Sequence, residues 1–211
     1  MDEQPSSAGE KSVVTTTSKS SARSHASERR AQVLTAAAEC FRRSGFHSAS
    51  MAQISKTAGM SIGHIYHYFE SKEAIIAALV ERDSAELIEL LESYRAQSDV
   101  AQAMIDGVGR AYRRDMVRED AALRLEFFAE AARNPKVEAI MREAERLRSS
   151  PVLEALNSSD PQRGEDDWQA RLKLVIALFH GLTIRTACGE AIDPELAVPH
   201  LQRAIAALLK A

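Results

Sequence analysis

The stretch from Ser50 to Lys72 limits what this chain can fold into more than any other segment. Ser50 is followed three residues later by Gln53, the reciprocal cap that opens a helix. Ile54 and Ala58 give that helix one apolar side, and Gly59 ends it with a residue that accepts positive φ. Ser61 caps a second helix in which Ile65 and Phe69 share a face, and Ser71 caps a third, much longer one. Short helices joined by a glycine turn predict a helix-turn-helix, with Met60 plugging the space between them. The second helix then leaves Ile62, Gly63, His64, Tyr66, His67 and Tyr68 projecting outward. A helix of that size matches the DNA major groove, whose base edges carry the full donor and acceptor code.

The remainder is rich in alanine, leucine, glutamate and arginine, and its β-branched residues never alternate over a strand's length. An all-α fold is expected, with an N-terminal helix-turn-helix domain of three helices and a larger C-terminal helical domain. Residues 1–26 are rich in serine and threonine and read as a disordered tail. Residues 27–72 form the DNA-binding domain and 73–211 the helical body. The first helix should span 27–44, with Gly45 as its left-handed stop. Later helices are expected over 71–94, 100–117, 120–133, 166–187 and 194–209. Asn134-Pro135 should start another, reaching about 147, with Ser149-Ser-Pro151 interrupting it before a last turn to 156 and a loop to 165.

The net charge is −3, with 45% hydrophobic and 27% charged residues, so no global excess of positive charge points to nucleic acid. Its distribution is more telling. Arg29, Arg30, Arg42, Arg43, Lys56 and Lys72 outnumber the acidic residues near them, while the body is acidic, as suits contact through one end only. Cys40 and Cys188 show no ligand spacing and are expected to be buried free thiols of a cytoplasmic protein. No run is apolar enough for a signal peptide or a membrane span. An enzyme is not expected, because nucleophile–base pairs, glycine-rich phosphate loops and metal constellations are missing from the pattern. Glu126 and Glu130, one turn apart, read as a solvated pair. His64 and His67 lack a carboxylate or thiolate at ligand spacing, so no metal and no cofactor is expected.

Across Arg29 to about Leu79 the chain resembles the TetR family of transcriptional regulators. The residues that carry this are Ala-Ala-Ala-Glu-Cys40-Phe, Gly45-Phe46, Ile54-Ser-Lys-Thr-Ala-Gly59 and Ile65-Tyr-His-Tyr-Phe-Glu-Ser-Lys-Glu73. The resemblance implies that Ser50 and Lys72 grip phosphates, with Ser61 at the start of the reading helix. It implies that Tyr66 and Tyr68 meet the groove walls, and that Ile62, Gly63 and His64 face the bases, with His67 beside them. No Arg, Asn or Gln stands at those three base-facing positions, which removes the usual bidentate base contact. The resemblance also implies a homodimer on a palindromic operator. Leu174, Val175, Leu178, Leu182, Ile205, Leu208 and Leu209 are the expected pairing face. An effector pocket is expected among Tyr112, Met116, Phe127, Phe128, Met141, Trp168, Phe179 and His180, with Arg113, Arg124 and Arg185 as possible carboxylate partners. The function expected is a repressor released by a small apolar or amphipathic effector. Two alternatives stay open: a DNA-binding architectural or activating protein without an effector, and a helical enzyme.

Overall fold

A computed structural model describes residues 14–210, with side-chain surroundings from His25 onward. Among the described residues the regular elements are α1 (Val14–Ser48), α2 (Met51–Ala58), α3 (Ile62–Tyr68), α4 (Lys72–Arg95), α5 (Val100–Asp115), α6 (Arg118–Ala131), α7 (Pro135–Ser159), α8 (Glu165–Ala187) and α9 (Pro194–Lys210). The all-α expectation holds.

The first helix begins at Val14, so 14–26 of the expected disordered tail is helical, while 1–13 lies outside the described residues. Propagating a helix that is already nucleated costs little per residue, and Lys19, Ala22 and Arg23 are good helix formers. Gly45 takes the expected positive φ, at φ 71° and ψ 160°, but it kinks α1 and the helix resumes as far as Ser48. That ψ lies far from the left-handed helical region, so the backbone turns there and does not stop.

Both halves of the cap at α2 are made. Ser50 Oγ accepts the Gln53 N–H at 3.1 Å, and Gln53 Oε1 accepts the Ser50 N–H at 2.8 Å. Gly59 ends the helix in the left-handed region at φ 63° and ψ 31°. The turn is tied down by Ser55 Oγ, which donates to the Met60 carbonyl, and by Gln32 Nε2, which donates to the Ala58 carbonyl at 2.8 Å.

Two cores result. The first joins Val33, Phe41, Ile54, Ile65 and Phe69 to Ile75 and Leu79 of α4, and it also takes Leu123 and Phe127 from α6 and Val137 from α7. The second gathers Tyr94, Val108, Val152, Leu156, Trp168, Ile205 and Leu209 deep in the body. Within the body α4 lies along α7, and α5 packs on α9. Meanwhile α6 touches α1, α7 and α8. It therefore belongs to both halves of the molecule.

Three expectations need correction. The interruption at Pro151 does not occur, and α7 runs unbroken to Ser159. A proline inside a helix costs about 3 kcal/mol, but Val152 and Leu156 behind it are almost wholly buried and offset that cost by packing. Cys40 is buried as expected, whereas Cys188 is exposed because it caps the end of α8, where the chain leaves the bundle. Glu130 is buried and accepts from Arg133 Nε at 3.1 Å and Asn134 Nδ2 at 3.0 Å. Its neighbour Glu126 accepts the Phe46 N–H at 3.4 Å, so neither carboxylate stands alone in solvent.

Candidate functional site

The third helix is divided lengthwise by burial. Ile65 is sealed in the first core and Phe69 closes the helix against it, while Met60 fills the angle with α2. On the other side Ile62 is 46% exposed and Tyr66 50%, and Gly63, His64 and His67 are also exposed. A Cβ at Gly63 would meet nothing within 4 Å, so the backbone there is open to close approach. Tyr68 is half-buried and lies between two imidazoles, 5.4 Å from the His64 ring and 5.2 Å from the His67 ring. Ser50 and Ser61 use their hydroxyl oxygens as caps for Gln53 and His64, at 3.1 and 3.3 Å. Each hydroxyl still has its own proton to donate.

Lys72 is placed differently from expectation. Its ammonium donates to the carbonyls of Phe46, Ala49 and His47 at 2.8, 2.8 and 3.3 Å, and it rests over the Phe46 ring at 4.4 Å. An ammonium has three donors, and three carbonyls occupy them. Lys72 thus clamps the segment between α1 and α2, which fixes where Ser50 and the start of α2 point.

The body encloses a cavity of about 160 Å³. Its apolar wall includes Leu87, Leu91, Met104, Val108, Leu172 and Ile205. Its polar wall joins α4, α5, α6 and α7. Arg124 Nη2 and Nε donate to the Asp83 carboxylate at 2.7 and 3.1 Å. Arg114 pairs with Asp115 and donates to the Asp83 carbonyl, and Arg148 binds Glu145 at 2.8 Å and Ser84 Oγ at 2.9 Å. Burial alone would raise Asp83, but the hydrogen bonds and charge of Arg124, with Arg114 and Arg148, hold it below the usual carboxylate range. Burial pushes Asp115 upward, with the nearby arginines only partly compensating. Burial also lowers His180, which lies 4.8 Å from the Phe128 ring and is held neutral.

Residues 33–79 match the family described as bacterial regulatory proteins, tetR family. Residues 101–210 match BetI-type transcriptional repressor, C-terminal. The chain belongs to the TetR family. Its relatives include the HTH-type transcriptional regulator UidR of Escherichia coli, 33% identical over 140 residues that cover 64% of this chain and 68% of that protein. The HTH-type transcriptional regulator BetI of E. coli is 29% identical over 176 residues, covering 80% and 88%. Among solved structures, Salmonella enterica GusR superposes with a TM-score of 0.72 at 26% identity, covering 87% of this chain and 96% of that one. This TetR-family chain is therefore a DNA-binding transcriptional regulator with a helix-turn-helix.

Of the eight residues expected to line a pocket in the regulator's body, Phe127, Phe128, Met141, Phe179 and His180 do. The other three are held elsewhere. Tyr112 is fully buried with its hydroxyl donating to the Ile192 carbonyl at 2.6 Å, and Met116 Sδ accepts from Thr186 at 3.0 Å. Trp168 donates to the Asp160 carbonyl at 3.2 Å and stacks under Arg163, closing the end of the second core. Arg124 does reach the cavity, but Arg185 pairs with Glu190 outside it. Sequence reasoning missed the ionic wall of Asp83, Arg114, Asp115 and Arg148. Its members lie far apart along the chain, and only their burial marks them.

Proposed function

We propose that this regulator is a homodimeric repressor that reads a palindromic operator with two copies of α3 and is released by a small apolar or amphipathic effector in the body cavity. The observation that carries the DNA half is the lengthwise division of α3, with Ile65 pinned inside and Ile62, His64 and Tyr66 turned out. In this reading Ser50 and Ser61 donate to phosphates, and Tyr66 and Tyr68 line the groove wall. Ile62, Gly63, His64 and His67 face the bases. Sequence preference then rests on His64, on contact between Ile62 and a thymine methyl, and on DNA shape.

One α3 makes too few contacts for tight binding, which favours two half-sites. Support for pairing comes from an unpartnered apolar stripe on α8. Leu174 is 53% exposed, and Leu178, Gly181 and Ile184 follow it at three- and four-residue steps. Leu196 of α9, 65% exposed, lies beyond. Of the expected pairing residues, Val175, Ile205 and Leu209 are buried within their own subunit and cannot take part, so Ile184 and Leu196 replace them. Pairing about a two-fold axis would form a four-helix bundle.

Among the described residues no helix is long and apolar enough to cross a membrane. DNA as the partner makes the cytoplasm the working compartment in this reading. Selection of bound genomic fragments followed by footprinting tests it, and an inverted repeat protected on both arms is the expected result. His64→Ala should relax preference at one position in each arm. A folded protein that protects no such repeat at low salt would sink the reading.

A further inference from the structure

The cavity's outline restricts what it can hold. Its lining runs along α5 from Met104 to Asp115, along α7 from Met141 to Val152 and along α8 from Leu172 to Thr183. Each of these stretches covers about three helical turns, or roughly 16 Å. A rounded void of about 150 Å³ accepts a benzene-sized guest. The 160 Å³ here is instead drawn out along those turns, which leaves a channel one methylene chain wide and too narrow for fused rings.

Polarity is graded along this channel. Asp83, Arg114, Asp115, Arg124 and His180 stand towards one end, where α4, α5, α6 and α8 meet. Tyr94, Met104, Leu172 and Ile205 stand at the other. The ions at the polar end are already matched. Arg124 faces Asp83, Arg114 faces Asp115 and Arg148 faces Glu145, so three guanidinium groups meet three carboxylates with no residual charge. Burial keeps His180 neutral as well. A charged head group would enter without a counter-ion or would have to break a buried pair, and either course is costly. A neutral oxygen avoids both. It can donate to a free lone pair of a wall carboxylate and accept from Arg114 Nε, whose N–H is buried without an acceptor.

Resting on the reading of this cavity as the effector site, we propose that its ligand is a single-chain amphiphile with an uncharged, oxygen-bearing head. A fatty alcohol, a monoester and a primary amide share that chemistry. The head lies against the Asp83–Arg124 wall, and the chain runs towards Leu172 and Ile205.

Four ten-carbon probes test this on the intact dimer: decan-1-ol, decanoate, decylammonium and cyclodecanol. Each is added below its micellar concentration, with thermal shift and operator binding read in parallel. Decan-1-ol should raise the melting temperature and bind at least tenfold more tightly than the other three. Equal or stronger binding of decanoate or decylammonium would overturn the neutral head, and equal binding of cyclodecanol would overturn the single chain. No shift with any probe would also overturn the proposal, while operator binding would still stand on its own. Binding of decan-1-ol without loss of operator affinity would keep the ligand class and remove the effector role. Ile176→Trp, which narrows the channel away from its polar end, should abolish the decan-1-ol shift. A shift retained in that variant would mean surface binding and would count against the proposal. Should Ile176→Trp fail to fold, the head-group comparison on the natural protein still decides.

Discussion

Lys72 illustrates how a side chain's partners can change its assignment. Its position and charge suggested a phosphate contact, yet its ammonium is spent on the carbonyls of Phe46, His47 and Ala49. Hydrogen bonds to a charged group are worth about 1.5–3 kcal/mol, so Lys72→Ala should lower the melting temperature measurably. It should also weaken operator binding by loosening the start of α2. A direct phosphate contact would instead reduce the salt slope by about one unit. Titrating operator affinity against salt for both proteins separates the two, and a slope unchanged within error is expected.

His180 gives a pH prediction at the same scale. Its folded pKa lies below the ordinary value of about 6.5, chiefly through burial. As pH falls through about 6.5, the unfolded chain takes up a proton that the folded one refuses, so stability drops. His180→Asn should flatten the fall in melting temperature between about pH 7.5 and pH 5.5. An equally steep fall in the variant would show that other groups drive it.

At the scale of elements, Gly107 of α5 lies beneath the phenol of Tyr94, and a Cβ there would overlap the ring. Helix propensity alone would make Gly107→Ala stabilising by about 1 kcal/mol. The buried ring cannot move aside freely, so overpacking of about 1–3 kcal/mol should win. Chemical denaturation of the variant should show a net loss of stability. The helices themselves were largely legible in the sequence, because caps such as Ser50 with Gln53 and stops such as Gly59 act within a few residues. Pro151 misled because its cost is local, while Val152 and Leu156 gain their stability from partners distant in sequence. The reading face of α3 was legible for a related reason, since Ile65 and Phe69 declare the buried side. The cavity was only half legible. Phe127, Phe128 and Phe179 are large apolar residues that any pocket would recruit, whereas Asp83, Asp115 and Arg148 look like ordinary surface charges until the tertiary fold brings them together.

At the scale of the whole molecule, pairing and reading should be separable. Leu174→Glu combined with Leu178→Glu places charge on exposed positions of α8, so the monomer should remain folded. Sedimentation should then show monomers at concentrations where the natural protein is dimeric, and affinity for a full operator should fall at least a hundredfold towards that for one arm. A dimer that persists in this variant would place the pairing face elsewhere. The helix α6 adds a constraint of another kind. Phe127 both lines the cavity and belongs to the core under α1–α3, and Glu126 accepts from the Phe46 N–H at the kink in α1. The reading head is thus capped by a piece of the body inserted into it. Anyone grafting this head onto a foreign sensor would have to bring α6 along, since residues 27–72 cut out alone would expose the hydrophobic seat that Leu123 and Phe127 now cover.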